Sequence, residues 1–142
     1  MNWADSYLAI PFRENGRTRA GLDCWGLYRL ILLERCGIKL PLYDGIPTGA
    51  LRRVCRAMDR DRHGEEWLPV TGPMQPYDAV LMTGQYVGVD GIERTGIVHI
   101  GCALDSKRVI HIERDADVAV QDRNSLRLRH RIKDIRRHRS LA

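Results

Sequence analysis

The sequence contains no run of about 20 apolar residues, the length that crosses a bilayer, so no membrane insertion is expected. Its start, "MNWADSYLAIPFRENG", has no basic region leading into an apolar one, so no signal peptide is expected either. The four cysteines, at 24, 36, 55 and 102, include no CxxC pair. That spacing excludes a disulfide framework and a structural zinc site, and fits a protein folded with reduced thiols. There is no low-complexity tract and no internal repeat. The 142 residues suffice for one compact domain over 1–142 with a real core, and not for two.

Positive charge is what the chain has in excess. The net charge is +5, and "RNSLRLRHRIKDIRRHR" near the end holds a single acid, Asp134. An arginine-rich segment of this kind meets nucleic acid, an anionic cell wall or an acidic protein patch. No aromatic residue interleaves the arginines as base-stacking surfaces require, so nucleic acid is not the expected partner. The plainer reading is a solvated strand edge with a basic tail over residues 123–142.

The pattern runs from helices to strands. A short helix is expected around Trp3 to Leu8. In "GLDCWGLYRLILLERCG", Asp23 is a good N-cap, Leu27, Leu30 and Ile31 supply an apolar face, and Gly37 stops the helix. In "ALRRVCRAMDR", Leu51, Val54, Cys55 and Met58 recur at helical spacing, with Thr48 placed to help cap the start and Cys55 on the core stripe. Strands are expected at "AVLM" (79–82), "GIVHIGCAL" (96–104), "RVIHIE" (108–113) and "DVAV" (117–120), with "LRLRHRIKDI" as a last strand. The glycine-rich stretch at 83–96 reads as a flap or a loose connection. The fold class is therefore α+β, N-terminal helices packed on an antiparallel sheet.

Cys24 falls on the first turn of its helix. Unpaired N–H groups and the helix dipole there favour a thiolate, which predicts a lowered pKa and a nucleophile. Free cysteines are also among the most buried residue types, so a core role stands beside that one. His99 and His111 flank the "DSK" turn and fall nearly opposite one another on a period-two ladder. Ile97, Gly101 and Ala103 share the face of His99, and the small ones leave room for something to approach it. Cysteine, histidine and a second histidine suit a nucleophile, a base holding a thiolate–imidazolium pair, and a group that orients the base. The Cys24 backbone N–H then serves as an oxyanion donor. The same three side chains are also zinc ligands, though no close ligand pair nucleates a metal site. No metal and no cofactor are expected. His63, His130 and His138 receive no role.

Four segments in order resemble the NlpC/P60 cysteine peptidases: "LDCWGL" (22–27), "PYDAVLM" (76–82), "VHIGCAL" (98–104) and "RVIHIE" (108–113). The resemblance covers residues 20–115, and the twelve-residue step from His99 to His111 suits it. It implies a permuted papain-like fold and hydrolysis of peptidoglycan stem peptides, typically between D-glutamate and the diamino acid. It also implies Cys24 as nucleophile, His99 as base and His111 as the third polar residue, with Asp23, Trp25 and Tyr7 shaping the site. Trp25 stands where the family often has serine. That serine and the preceding acid help hold a substrate amine in some members, so Trp25 implies a more apolar and narrower pocket. Tyr77 stands where glycine is usual.

"DCWGL" after a "YL-IPF" opening resembles the subgroup encoded by tailed phages. That implies a virion tail-tip location, a peptidase made in the host cytoplasm and delivered to the periplasm, and tail-tip proteins as partners of the basic strand. A structural tail subunit and a cytoplasmic enzyme of wall-peptide recycling are the alternatives.

Overall fold

In the computed structural model, which describes residues 2–142, a six-stranded antiparallel sheet carries the chain, with helices packed against one face of it. After a 3-10 turn at Trp3–Tyr7 come β1 (Arg17–Thr18), β2 (Gly21–Leu22), α1 (Cys24–Cys36) and α2 (Leu51–Asp61). The strands β3 (Trp67–Pro69), β4 (Ala79–Val87), β5 (Glu93–Ala103), β6 (Arg108–His111), β7 (Ala119–Asp122) and β8 (Ile132–His138) follow. Their order across the sheet is β3-β8-β4-β5-β6-β7, and every pairing is antiparallel. The expected α+β class is what is found. Among the described residues no helix is long and apolar enough to cross a membrane.

Local chemistry accounts for α1. The Asp23 carboxylate accepts from the Gly26 N–H at 2.8 Å, capping the first turn. Gly37, at φ 68°, takes the left-handed position and donates to the Leu33 carbonyl, and Ile38 donates back to Leu32. Leu27, Tyr28, Ile31 and Leu32 pack with Ile100, Cys102, Ile110 and Ile112 of the sheet. The opposite face has its own smaller core, where Leu128 and Met74 cover Val80, Met82, Ala103 and Val109.

Four local expectations are corrected. The segment 83–96 is not a flap: β4 and β5 continue through it as a paired ribbon, with the turn closed by Gly88 donating to Ile92. Thr48 does not cap α2. Its hydroxyl donates to Asp23 and its N–H to Asn15, and α2 starts at Ala50 without a side-chain cap. The apolar stripe of α2 lies largely outside the core, since only Ala57 is buried, Met58 packs on the core half-buried and Cys55 is half-buried.

The C-terminal segment differs most. Residues 126–131 turn rather than extend, and β8 lies inside the sheet between β3 and β4 instead of at a solvated edge. Three of its arginines point to acids of the body, and a fourth to the segment's own acid. Arg137 grips Asp78 through two bonds of 2.8 Å, Arg136 holds Asp134, and Arg131 and Arg127 hold Glu113. Part of the charge that reads as a basic tail in the sequence is thus held by two acids far away along the chain, Asp78 and Glu113.

Candidate active site

Cys24 opens α1 at the floor of a cleft of about 480 Å³ between α2 and the sheet. One wall is Trp25, Tyr43, Leu51, Val54 and Met58, so the stripe of α2 that leaves the core faces this space. Trp25 is fixed by its Nε1–H donating to the Pro41 carbonyl and by an edge contact with Tyr43. The surface of the cleft is mostly apolar, with charged groups such as Asp61, Arg62 and Glu113 among its lining. Val98, His99 and Ile100 all line it in succession. Regular alternation forbids that, and a bulge in the β4–β5 pairing allows it: Met82 pairs with His99 and Thr83 with Ile97, leaving Val98 extra. The same bulge puts Ile97 in the core beneath α1, not on the face of His99.

The two histidines meet. Ala103 pairs with Val109 and Cys102 with Ile110, which sets His111 beside Gly101 and diagonal to His99. The ring nitrogens His99 Nε2 and His111 Nδ1 are 2.8 Å apart, and both side chains are buried. Gly101 is what permits this. A Cβ there would lie 2.6 Å from Val109 and 3.2 Å from the His111 Cβ. The space beside His99 at Gly101 is thus filled by His111, Val109 and Met82 and is not an approach route. His111 Nε2 in turn lies 2.7 Å from Gln121 Oε1 of β7, and the Glu113 carboxylate lies 3.9 Å from His99 Nε2.

Electrostatics reverse the expected charge state. Burial, and then the neighbouring Asp23 charge, push the Cys24 thiol up to about 12, against the backbone N–H groups of Ile100 and Trp25 that point at the sulfur. Burial holds His99 well below its ordinary value, and His111 beside it adds to the effect. The resting pair is therefore neutral thiol and neutral imidazole, not the thiolate–imidazolium pair expected from the helix N-terminus. Dipole stabilisation is worth about 0.3–1 kcal/mol at such a position, and desolvation of a thiolate outweighs it. Iodoacetamide labelling of Cys24 should accordingly be slower than that of a small free thiol near neutral pH. It should climb about tenfold per pH unit into the alkaline range. A fast, flat rate through neutrality would overturn this.

The acid side gives a second expectation. Burial depresses His99, His111 and His138 alike. An unfolded chain takes up these protons as pH falls through about 6.5, while the folded chain resists them. The unfolded state then binds more protons, so stability is full above that pH and is lost as pH falls below it. The slope approaches about 1.4 kcal/mol per pH unit for His99, whose shift is large, and His111 and His138 add to it in the same direction. Urea midpoints measured down through this window should drop before the carboxylates begin to titrate, and a flat midpoint to pH ~5 would contradict it.

Asp23 is saturated. Its Oδ1 accepts from Arg17 at 2.7 Å and from the Gly26 N–H, and its Oδ2 accepts from Thr48 at 2.7 Å. Both carboxylate oxygens are thus already engaged by the protein's own donors, which makes Asp23 a structural cap first. Tyr7 is corrected: it is buried under α1, donates its hydroxyl to Glu34 at 2.7 Å, and does not line the cleft. His99, His111 and Glu113 do bring three metal-ligating atoms within 4.8 Å of one another. However, two guanidiniums hold Glu113, and burial alone would raise its pKa where these bonds lower it. A cation would have to displace both arginines, so the donor set does not suit a resident metal.

Sequence reasoning missed Gln121 and Glu113. Gln121 was one residue beyond the expected strand "DVAV", and continuing the alternation from Ala119 puts it on the face of His111. Glu113 is the last residue of the expected strand "RVIHIE" and receives no role there.

Cys24 and His99 thus line one cleft on an α+β scaffold, with His111 bonded to His99 behind it. Neither the models of known protein families nor the curated proteins compared with the chain match it.

Proposed function

We propose that this chain is a cysteine endopeptidase of the NlpC/P60 type with a permuted papain-like fold. In this reading it cleaves amide bonds of peptidoglycan stem peptides and works with a phage tail tip. The observation that carries it is the pairing of His99 with His111 beside the cleft that Cys24 also lines. A further support is Tyr77, at the position where the resemblance expects glycine. Its φ is 74°, in the left-handed region that favours glycine.

The chemistry follows from the neutral resting pair. As the Cys24 sulfur attacks the carbonyl carbon, its proton passes to His99 Nδ1, and the carbonyl oxygen becomes an oxyanion. Asp23 consumes the Gly26 and Leu27 N–H groups in capping, so the Cys24 N–H is the donor placed to meet that oxyanion. The new imidazolium faces the Glu113 carboxylate. It then protonates the leaving amine, and water releases the acyl group from sulfur by the reverse steps.

The protonated resting thiol fits a second reading equally well, a tail-tip subunit whose site is closed until assembly. Mass spectrometry of stem peptides and whole peptidoglycan, incubated with wild type and Cys24→Ala, separates the two. A product from wild type alone supports the peptidase and names the bond. No product from either, before and after addition of tail partners, leaves the structural subunit.

A further inference from the structure

We infer that Gln121 is a positioning residue for the Cys24 reaction. Its amide oxygen, at the end of a diagonal row His99–His111–Gln121 across β5, β6 and β7, fixes both imidazole tautomers and leaves His99 Nδ1 bare to take the thiol proton. The inference rests on the thiol chemistry proposed above.

Proton counting carries it. Gln121 Oε1, 2.7 Å from His111 Nε2, has no hydrogen to give, so His111 carries its proton on Nε2 and donates it. His111 Nδ1 is then an acceptor. His99 Nε2, 2.8 Å away, must be the donor. A neutral imidazole has one N–H, so His99 Nδ1 is left unprotonated. Reversing the amide reverses the chain: an N–H from Gln121 would move the His111 proton to Nδ1, and His99 would present Nδ1–H, unable to act as a base. One side chain on the edge strand thus decides whether the pair can accept the thiol proton.

The register explains how Gln121 reaches this place. His111 pairs with Ala119 and Val109 with Gln121, so Gln121 stands diagonal to His111 on the same face. His111 stands in the same relation to His99, because Ala103 pairs with Val109. The right-handed twist of a sheet brings such diagonal neighbours within reach of long side chains.

The test compares Gln121→Leu, which removes the acceptor, with Gln121→Glu, which keeps it. Gln121 is only half-buried, so neither change empties the core. Two-bond proton–nitrogen NMR of isotope-labelled histidine rings reads the tautomers directly, whatever the activity. In wild type and in Gln121→Glu both rings should carry the proton on Nε2. In Gln121→Leu the His111 ring should lose that fixed pattern, and kcat/KM should fall by about tenfold or more, part of what general-base catalysis contributes.

The carboxylate of Gln121→Glu also places a negative charge on His111. The other charged groups facing His111 are Glu113, Arg127 and Arg131, and His99 is its titratable neighbour. Added negative charge favours the imidazolium, so the acid limb of kcat/KM should move to higher pH in this variant. An unchanged ring-nitrogen pattern in Gln121→Leu overturns the inference. So does a Gln121→Leu profile identical to wild type. If wild type turns over no substrate while the NMR pattern shifts as stated, the peptidase reading fails and the tautomer assignment stands.

Discussion

Cys24→Ala should abolish turnover, a loss of about a millionfold when the nucleophile of such a unit is removed. The sulfur is the atom that forms the bond to the substrate, and no neighbouring group substitutes for it. The thermal midpoint should stay close to that of wild type, because Cys24 is partly exposed at the cleft floor and its helix is capped by Asp23. Loss of activity with an unchanged midpoint therefore reads chemistry, not folding. His111→Ala should be less severe, since His99 keeps its place in the strand and loses only its partner. An equal loss from His111→Ala with the fold intact would mean that His111 does more than orient the base. Residual turnover in Cys24→Ala above background would remove Cys24 from the mechanism.

Arg137→Ala should destabilise the fold by about 3–5 kcal/mol, the cost of leaving a buried carboxylate without its partner. Asp78 is 0% exposed, and its other contact is a single N–H from Gln75. Arg137 meets it with both Nε and Nη2, joining β8 to the start of β4 across 59 residues of sequence. The double change Asp78→Asn with Arg137→Met removes the charge as well as its partner, and should recover much of the loss. Urea unfolding of the two variants checks this. A loss below about 1 kcal/mol for Arg137→Ala would mean that water reaches Asp78 and that the pair behaves as a surface ion pair.

These two expectations also mark how far the sequence could be read. The α1 cap, its glycine stop, the early helices, the late strands and the shared face of the two histidines all follow from contacts within a few residues. Asp23 to Gly26, Gly37 to Leu33 and the hairpin about Asp105 are of this kind. Short-range hydrogen bonding and side-chain periodicity encode such features directly.

Other features were decided by distant partners. The pKa of the Cys24 thiol rises chiefly because the folded chain buries the sulfur, which the helix start alone does not reveal. The bulge at Val98 depends on how β4 meets β5, and it turns three consecutive residues into one cleft. The stripe of α2 looks like core in any helical projection, and only the gap between α2 and the sheet makes it a wall. The arginine-rich end is the clearest instance. By itself the sequence determined an α+β chain with a cysteine at a helix start and two histidines on one hairpin face. The tertiary structure decided their charge state, the Gln121 link and the use of the arginines, because burial and long-range ion pairs exist only once the sheet has closed around them.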